Sequence, residues 1–379
     1  MTPDPGTWHS LRLACREPFD GQSLLRFLAA RAIPGVEEVS QGRYARTVRV
    51  PGGSGVIELV PPSVPREGDE GRGGRAGDAG HGQAGEAQLL LRAQLTGPDA
   101  TGQVASRCRR LFDCDADPGA IGSALAADEV LAPLVAARPG LRVPGAYDGF
   151  ELAVRAVIGQ QISVAGASTL TGRLAAHCGT RLGAADITGP LTVLFPRPAD
   201  LAGADLSGLG LTTRRQVTLR ALAAACATGR LSLDPGADPE ATAGRLAELP
   251  GVGPWTVAYI MMRAAGDPDA FPGSDLGLRR AMARLGCGPG HADRWRPWRA
   301  YAAVHLWAAP AGPAAHGEPA APAAPSARTA RSAPTAAPAP TARSRAQAVM
   351  PAKLAATRQE QPCHPAPSRR PSSAPRLAR

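Results

Sequence analysis

The stretch Leu-Pro-Gly-Val-Gly-Pro-Trp-Thr at residues 249–256 decides the fold of the second half of the chain. The segment before it carries apolar residues at helical spacing and ends at Pro250, which cannot donate a hydrogen bond to a helical ladder. A second helix is predicted to begin at Pro254, because proline is tolerated in the first turn of a helix. Between the two helices, Gly251 and Gly253 leave backbone amides uncovered, so a phosphate oxygen can approach the main chain. The pattern predicts a helix-hairpin-helix that holds a nucleic-acid backbone without reading its bases, with an ordinary glycine-capped turn as the alternative.

A candidate catalytic carboxylate, Asp275, follows 20 residues after Trp255. Residues 276–285 predict a helix directly after it, and the dipole at the start of that helix favours an ionised carboxylate. A plain helix N-cap is the other common use of an aspartate at this place. The two roles can coexist.

The scarce aromatic residues cluster in the same region. Four of the five tryptophans lie between residues 255 and 307 of a chain that is only 4% aromatic. One interpretation is the core of a helical domain, which we favour for Trp295 and Trp298. The other is a stacking pocket for a base swung out of the duplex, which suits Tyr259 and Trp307 better.

Four motifs, in this order and at this spacing, resemble the DNA-3-methyladenine glycosylase II family of the helix-hairpin-helix glycosylase superfamily. They lie at residues 148–164, which contain RAVIGQQISV, and at residues 249–256, 271–278 and 295–307. The resemblance covers about residues 9 to 308. It implies an α+β fold, with a small N-terminal mixed α/β-sheet domain followed by an all-α helix-hairpin-helix glycosylase domain. It also implies a monofunctional DNA glycosylase of base excision repair, which flips alkylated bases such as 3-methyladenine and 7-methylguanine out of double-stranded DNA.

Motif by motif, the resemblance implies roles for individual residues. Breaking the N-glycosidic bond builds positive charge on the sugar, so the match to the catalytic aspartate, Asp275, would stabilise that charge and position the attacking water. Some relatives carry a bulky apolar wedge in the loop that fills the gap left by the flipped base, whereas this chain has two glutamines there. A glutamine pair that caps a turn is the structural alternative. The remaining matches are Tyr259, Trp307 and Trp255 for the base pocket, Gly251, Gly253 and Thr256 for the DNA-backbone hairpin, and Gln160 and Gln161 for the wedge.

The lysine content of the chain bears on the reaction. Bifunctional members of the superfamily place a lysine just after the hairpin, where its amine forms a Schiff base with the sugar. Here Trp255 occupies that place, and the single lysine of the whole chain is Lys353. We therefore expect hydrolysis without AP lyase activity.

Composition divides the chain into segments. An N-terminal extension over 1–8 precedes an α+β domain over 9–100, with a predicted helix at 23–32, strands at 43–50, 56–60 and 88–95, and a disordered insert at 61–87. An all-α domain over 101–310 and a disordered Ala/Pro/Arg tail over 311–379 follow. The predicted helices of the second domain, apart from those of the hairpin and the one after Asp275, lie at 103–111, 120–127, 131–137, 150–158, 163–177 and 213–228.

Charge and cysteine content limit the possible partners and cofactors. The tail carries ten basic and two acidic residues, a charge of +8 out of +10 for the chain, so it supports non-specific DNA attraction at most. The seven cysteines form no Cys-x-x-Cys pair, so neither an iron-sulfur cluster nor a zinc site is expected. A monovalent cation at the hairpin carbonyls is the one ion left open.

No signal peptide or membrane span is evident, and each motif occurs once, so we expect a cytoplasmic, nucleoid-associated bacterial monomer. The alternatives are a glycosylase for another lesion class and a non-catalytic helix-hairpin-helix DNA-binding protein.

Overall fold

The computed structural model describes residues 7–62, 86–96, 100–183, 189–234, 236–288 and 290–309. Most of the predicted insert, the first six residues of the N-terminal extension and the whole of the predicted tail lie outside these ranges.

The N-terminal region forms a five-stranded antiparallel sheet with the strand order β1-β5-β4-β3-β2. Its elements are β1 His9–Arg16, α1 Gly21–Ala29, β2 Glu37–Ser40, β3 Arg43–Val50, β4 Gly53–Val60 and β5 Glu86–Leu95. The three predicted strands are confirmed as β3, β4 and β5, although β5 begins two residues earlier, inside the range assigned to the insert. The two edge strands were not predicted. The first four residues of β1 are all exposed and β2 has only four residues, so neither shows a clear alternation of buried and exposed side chains.

Helix α1 packs on this sheet through one buried stripe. Asp20 caps the helix by accepting a hydrogen bond from the Ser23 amide at 2.9 Å. Leu24, Leu25 and Leu28 are buried in the same cluster as the inward side chains of the sheet. Phe27 lies beside this stripe and is only partly buried. Part of its ring can therefore contact groups outside the core of the sheet.

The rest of the described chain is helical apart from a two-stranded ribbon of β6 Thr180–Arg181 and β7 Val193–Leu194. The six predicted helices are confirmed within two residues at each end, as are the helix before the hairpin and the helix after Asp275, and α10 begins at the predicted Pro254; α7 and α12 were not predicted. A π-helical turn, Met261–Ala265, extends α10, and a 3-10 turn, His291–Trp295, precedes α12. The helices are α2 Thr101–Leu111, α3 Pro118–Ala126, α4 Ala132–Ala137, α5 Gly149–Ile158, α6 Val164–Cys178, α7 Pro198–Ala202, α8 Thr213–Ala227, α9 Pro239–Ala247, α10 Pro254–Ile260, α11 Leu276–Arg284 and α12 Arg299–Ala308.

Helix α5 forms the centre of the helical region. From Phe150 to Ile158 only Arg155 is not fully buried, because α6, α8 and α10 all pack around this helix. Trp295 is 2% exposed in the same core, which confirms the core interpretation of that tryptophan, and Trp298 packs against the core while partly buried. No described helix is long and apolar enough to cross a membrane.

A buried ionic network joins the sheet to α5. Arg46 on β3 contacts Glu151 on α5 at 2.5 Å, and Arg155 on α5 contacts Glu37 on β2 at 2.9 Å. Burial raises the pKa of Glu37, but Arg155 and Arg46 outweigh it and hold that pKa below its ordinary value. Arg155 also donates to the carbonyl of Arg31 at 2.5 Å. Removing one member of such a network leaves a buried charge without its partner, which is strongly destabilising. Because Arg155 also holds the Arg31 carbonyl just after α1, the network fixes the position of α1 over the helical region.

Candidate active site

The hairpin has the predicted form, with α9 ending at Ala247 and α10 beginning at Pro254. Gly251 has a φ of 80°, in the left-handed region that glycine adopts without strain. A Cβ atom there would lie 2.3 Å from the Thr218 hydroxyl, which itself donates to the Pro250 carbonyl at 2.7 Å. Gly253 has no neighbour within 4 Å of the place where a Cβ would stand. Gly251 is therefore required both by its backbone angle and by the lack of space for a Cβ atom, whereas Gly253 leaves the backbone amides at the start of α10 uncovered.

The two glutamines of the predicted wedge face different ways. The Gln160 side-chain amide donates to the Gly251 carbonyl at 3.1 Å and to the Thr256 hydroxyl at 2.9 Å. Gln161 is exposed and has a φ of 56°, a conformation that is uncommon for a residue with a Cβ. Gln160 therefore ties its loop to the hairpin, and Thr256, which is 2% exposed, belongs to the same internal contact. Gln161 is the member of the pair that projects outward.

Asp275 caps α11 and also receives two indole N–H groups. Its Oδ1 atom accepts hydrogen bonds from the Leu278 amide and from Nε1 of Trp307, each at 3.0 Å. Its Oδ2 atom accepts from Nε1 of Trp255, also at 3.0 Å. The capping interpretation is confirmed, and both oxygens are held in fixed directions by N–H donors that suit an ionised carboxylate.

The three aromatic side chains assigned to the base pocket contact one another beside Asp275. The rings of Trp255 and Tyr259 are stacked with centroids 5.1 Å apart, and Tyr259 meets Trp307 edge to face at 6.4 Å. All four residues line one cavity of about 550 Å³. A cavity of this size accommodates a purine base.

Another part of the cavity wall comes from α1 and the turn that follows it. Phe27 and Arg31 line it, and the Arg31 guanidinium lies 3.8 Å from the centroid of the Phe27 ring. Sequence reasoning missed both residues, because a phenylalanine and an arginine one helical turn apart are ordinary on an amphipathic helix. The available signal was that Phe27 falls outside the stripe formed by Leu24, Leu25 and Leu28.

Arg263 is a further pocket residue that the sequence did not reveal. It lies in the π-helical turn after α10 and is 6% exposed. Its guanidinium donates to the Tyr259 hydroxyl at 2.8 Å, to the Pro144 carbonyl at 2.6 Å and to the Gly145 carbonyl at 3.0 Å. Sequence periodicity assumes 3.6 residues per turn, so it cannot anticipate the wider turn that places this side chain.

Within the described ranges, no group of three or more His, Cys, Asp and Glu side chains could hold a metal ion. At the hairpin, the carbonyls of Pro250 and Gly251 accept hydrogen bonds from Thr218 and Gln160. A monovalent cation at these carbonyls stays a prediction.

Two family models match most of the described chain. The model of the AlkA N-terminal domain matches residues 10–148, and that of the HhH-GPD superfamily base excision DNA repair protein matches residues 154–294. The two matches together contain the sheet, the hairpin and Asp275.

Similar proteins agree with these models. DNA-3-methyladenine glycosylase 2 of Escherichia coli is 35% identical over 300 residues, which are 76% of this chain and 94% of that protein. The probable bifunctional transcriptional activator/DNA repair enzyme AlkA of Mycobacterium tuberculosis is 44% identical over 306 residues. That match covers 79% of this chain but only 56% of the mycobacterial protein. The solved 3-methyladenine DNA-glycosylase of Archaeoglobus fulgidus shares the fold, with a TM-score of 0.61 at 19% identity over 79% of this chain and 97% of that one. The chain belongs to the DNA-3-methyladenine glycosylase II family of helix-hairpin-helix base excision repair proteins.

Proposed function

We propose that this protein is a monofunctional DNA glycosylase that removes alkylated bases, of the 3-methyladenine and 7-methylguanine type, from double-stranded DNA in base excision repair. The observation that carries the proposal is the carboxylate of Asp275, held by Trp255 and Trp307 at the edge of an aromatic cavity. The cavity provides stacking surfaces for a flipped base, and in this proposal the carboxylate at its edge faces the sugar to which that base is attached.

In this scheme Asp275 is the catalytic residue. Cleavage of the N-glycosidic bond develops positive charge on the deoxyribose, and a fixed anion lowers the energy of that transition state. The two indole N–H groups and the capped amide keep its oxygens in place, so little reorganisation is needed as the charge appears. The same carboxylate orients or deprotonates the attacking water.

The hairpin and the wedge divide the work of holding the DNA. Backbone amides around Gly251 and Gly253 grip a phosphate at the start of α10, without base readout. We assign the wedge to Gln161, because it is exposed and projects from its loop. Gln160 and Thr256 act as positioning residues, because their mutual hydrogen bond links the wedge loop to the hairpin.

The reaction ends at an abasic site. A lyase step needs an amine nucleophile beside the sugar, and the place after the hairpin holds Trp255, whose indole nitrogen is engaged with Asp275. The single lysine, Lys353, lies far along the chain from this site.

A panel of duplex oligonucleotides, each with one defined lesion, tests the proposal. We expect release of methylated purines and strand breaks only after added alkali. Asp275→Asn should abolish release while the variant still binds the lesion duplex. Trapping of a covalent protein–DNA complex by borohydride would contradict the monofunctional mechanism, and release of only oxidised or mismatched bases would assign another lesion class. If the wild-type protein bound the lesion duplex but released no base, it would be a non-catalytic DNA-binding protein.

We further infer that the protein works as a monomer without a cofactor, in the bacterial cytoplasm on nucleoid DNA. The support is that each family motif occurs once in the sequence, that the seven cysteines form no Cys-x-x-Cys pair, and that the relatives are bacterial repair proteins. Full excision after dialysis against a chelator, with a monomer mass in solution, is the expected result.

A further inference from the structure

The hydroxyl group of Tyr259, in the wall of the pocket, donates no hydrogen bond to any residue that the structure describes. Its oxygen accepts a hydrogen bond from Arg263 at 2.8 Å, and no described residue accepts its hydrogen. Because an arginine can only donate, this contact fixes the phenol oxygen as an acceptor and leaves the phenol proton for another partner. Tyr259 lines the cavity, so a bound base can provide that partner.

The position of this hydroxyl is set by a rigid support. Arg263 is buried and anchored by the carbonyls of Pro144 and Gly145. The Tyr259 ring is in turn held between Trp255 and Trp307. A donor fixed in this way can discriminate between bases, since a mismatched group cannot be accommodated by simple rotation of the side chain.

Positive charge surrounds the Tyr259 end of the pocket. Neither Arg31 nor Arg263 forms an ion pair with a described residue, although both line the cavity. Burial raises the pKa of Tyr259, but the charges of Arg263 and Arg31 outweigh it and lower that pKa below its ordinary value. The phenol is thereby a stronger hydrogen-bond donor than an ordinary tyrosine.

The charge of the cavity lining is mostly positive. Asp275 is the only carboxylate among the described residues that line the cavity, and both of its oxygens are already engaged by indole N–H groups. Six arginines line the same cavity, namely Arg26, Arg31, Arg138, Arg142, Arg155 and Arg263. An electronegative base edge therefore matches the Tyr259 end, whereas an amino group would meet a donor and two cations there.

We propose that the Tyr259 hydroxyl donates a hydrogen bond to the exocyclic oxygen of a flipped 6-oxopurine, and so favours methylated guanines over methylated adenines. The assignment rests on the proposed glycosylase function and names a specificity determinant within it. Tyr259 contributes to the difference between two substrate classes, while Asp275 serves both.

The test uses DNA methylated at purine ring nitrogens, from which 3-methylguanine and 3-methyladenine are released in one tube and separated. The two bases carry the methyl group at the same atom and differ in their exocyclic groups. Because they compete for the same enzyme, any loss of active protein cancels from their ratio. Tyr259→Phe keeps the ring and removes the donor, and we expect it to lower the release of 3-methylguanine relative to 3-methyladenine by about tenfold.

Tyr301→Phe is the matched control. Its hydroxyl donates to Asp113 at 3.0 Å, and it does not line this cavity, so it should leave the ratio unchanged. An equal loss of both bases in Tyr259→Phe, with an unchanged ratio, would overturn the assignment and reduce Tyr259 to a stacking surface. Failure of the wild-type protein to release either base would instead overturn the proposed function.

Discussion

The hairpin at residues 249–256 and the base pocket share Trp255 but are built in opposite ways. The hairpin depends on backbone conformation over a few adjacent residues, with Gly251 in the left-handed region and Pro254 opening a helix. The pocket brings together side chains that lie far apart in the sequence, from Phe27 on α1 to Trp307 on α12. The difference implies that substitutions in the hairpin act on stability and DNA affinity, whereas those in the pocket act on rate and selectivity.

Asp275→Asn gives the largest expected effect on the pocket. Asparagine caps a helix as well as aspartate does, but its amide nitrogen cannot accept the Trp255 indole N–H. The variant should therefore fold with a slightly lower Tm while it loses the anion that stabilises the transition state. We expect the single-turnover rate to fall by at least about 10²-fold. A rate within a few-fold of wild type would remove Asp275 from the chemistry.

Gly251→Ala should give the largest effect on the hairpin. The new Cβ would be held at a φ of 80° and would clash with the Thr218 hydroxyl. We expect a loss of about 1–3 kcal/mol in the free energy of unfolding, measured by denaturant titration. Gly253→Ala, with no neighbour within 4 Å, is the matched control and should lose less than about 1 kcal/mol. Equal losses of stability in the two variants would show that neither the positive φ nor the lack of space at Gly251 determines the hairpin conformation.

Substitutions of the two glutamines should distinguish an effect on stability from an effect on base flipping within one loop. Gln160→Ala removes hydrogen bonds to Gly251 and Thr256 and should destabilise the fold by about 1–2 kcal/mol. Gln161→Ala should change stability by less than about 0.5 kcal/mol, but it should reduce flipping, measured as the fluorescence of a 2-aminopurine beside the lesion. Unchanged fluorescence in the Gln161 variant would argue against its role as the wedge.

Deletion of residues 311–379 should have the smallest effect. This segment carries ten basic and two acidic residues, so its loss should reduce the salt dependence of non-specific DNA binding. Excision at moderate salt should stay within about twofold of the full chain, because every residue to which we assign a role in excision lies before residue 311. Loss of excision under those conditions would give the segment a direct role.

The comparison also shows what the sequence could reveal. Proline fixes its backbone angle and glycine adopts angles closed to other residues, so the hairpin and the start of α11 at Leu276 were predictable from a few letters. The family resemblance identified Asp275, Trp255, Tyr259 and Trp307, and the structure brings all four to one cavity.

Other parts depend on information that a local pattern does not contain. The edge strands β1 and β2 lack a clear alternation of buried and exposed side chains, because the first half of β1 is exposed and β2 has only four residues. Arg263 is placed by a π-helical turn, and the separate orientations of Gln160 and Gln161 follow from the positive φ of the second glutamine. These features arise from tertiary packing, which overrides local propensity.

The buried network between Arg46 and Glu151 has an evolutionary consequence. Through Arg155, which donates to the Arg31 carbonyl, the network holds α1 in the wall of the pocket. The carboxylate proposed to be catalytic, Asp275, lies instead at the start of α11. Substitutions at the positions of α1 that line the pocket, such as Phe27, can therefore alter which bases fit and leave Asp275 and its supports unchanged. This part of the pocket can diverge separately from the chemistry, because α1 and Asp275 are encoded in different thirds of the gene.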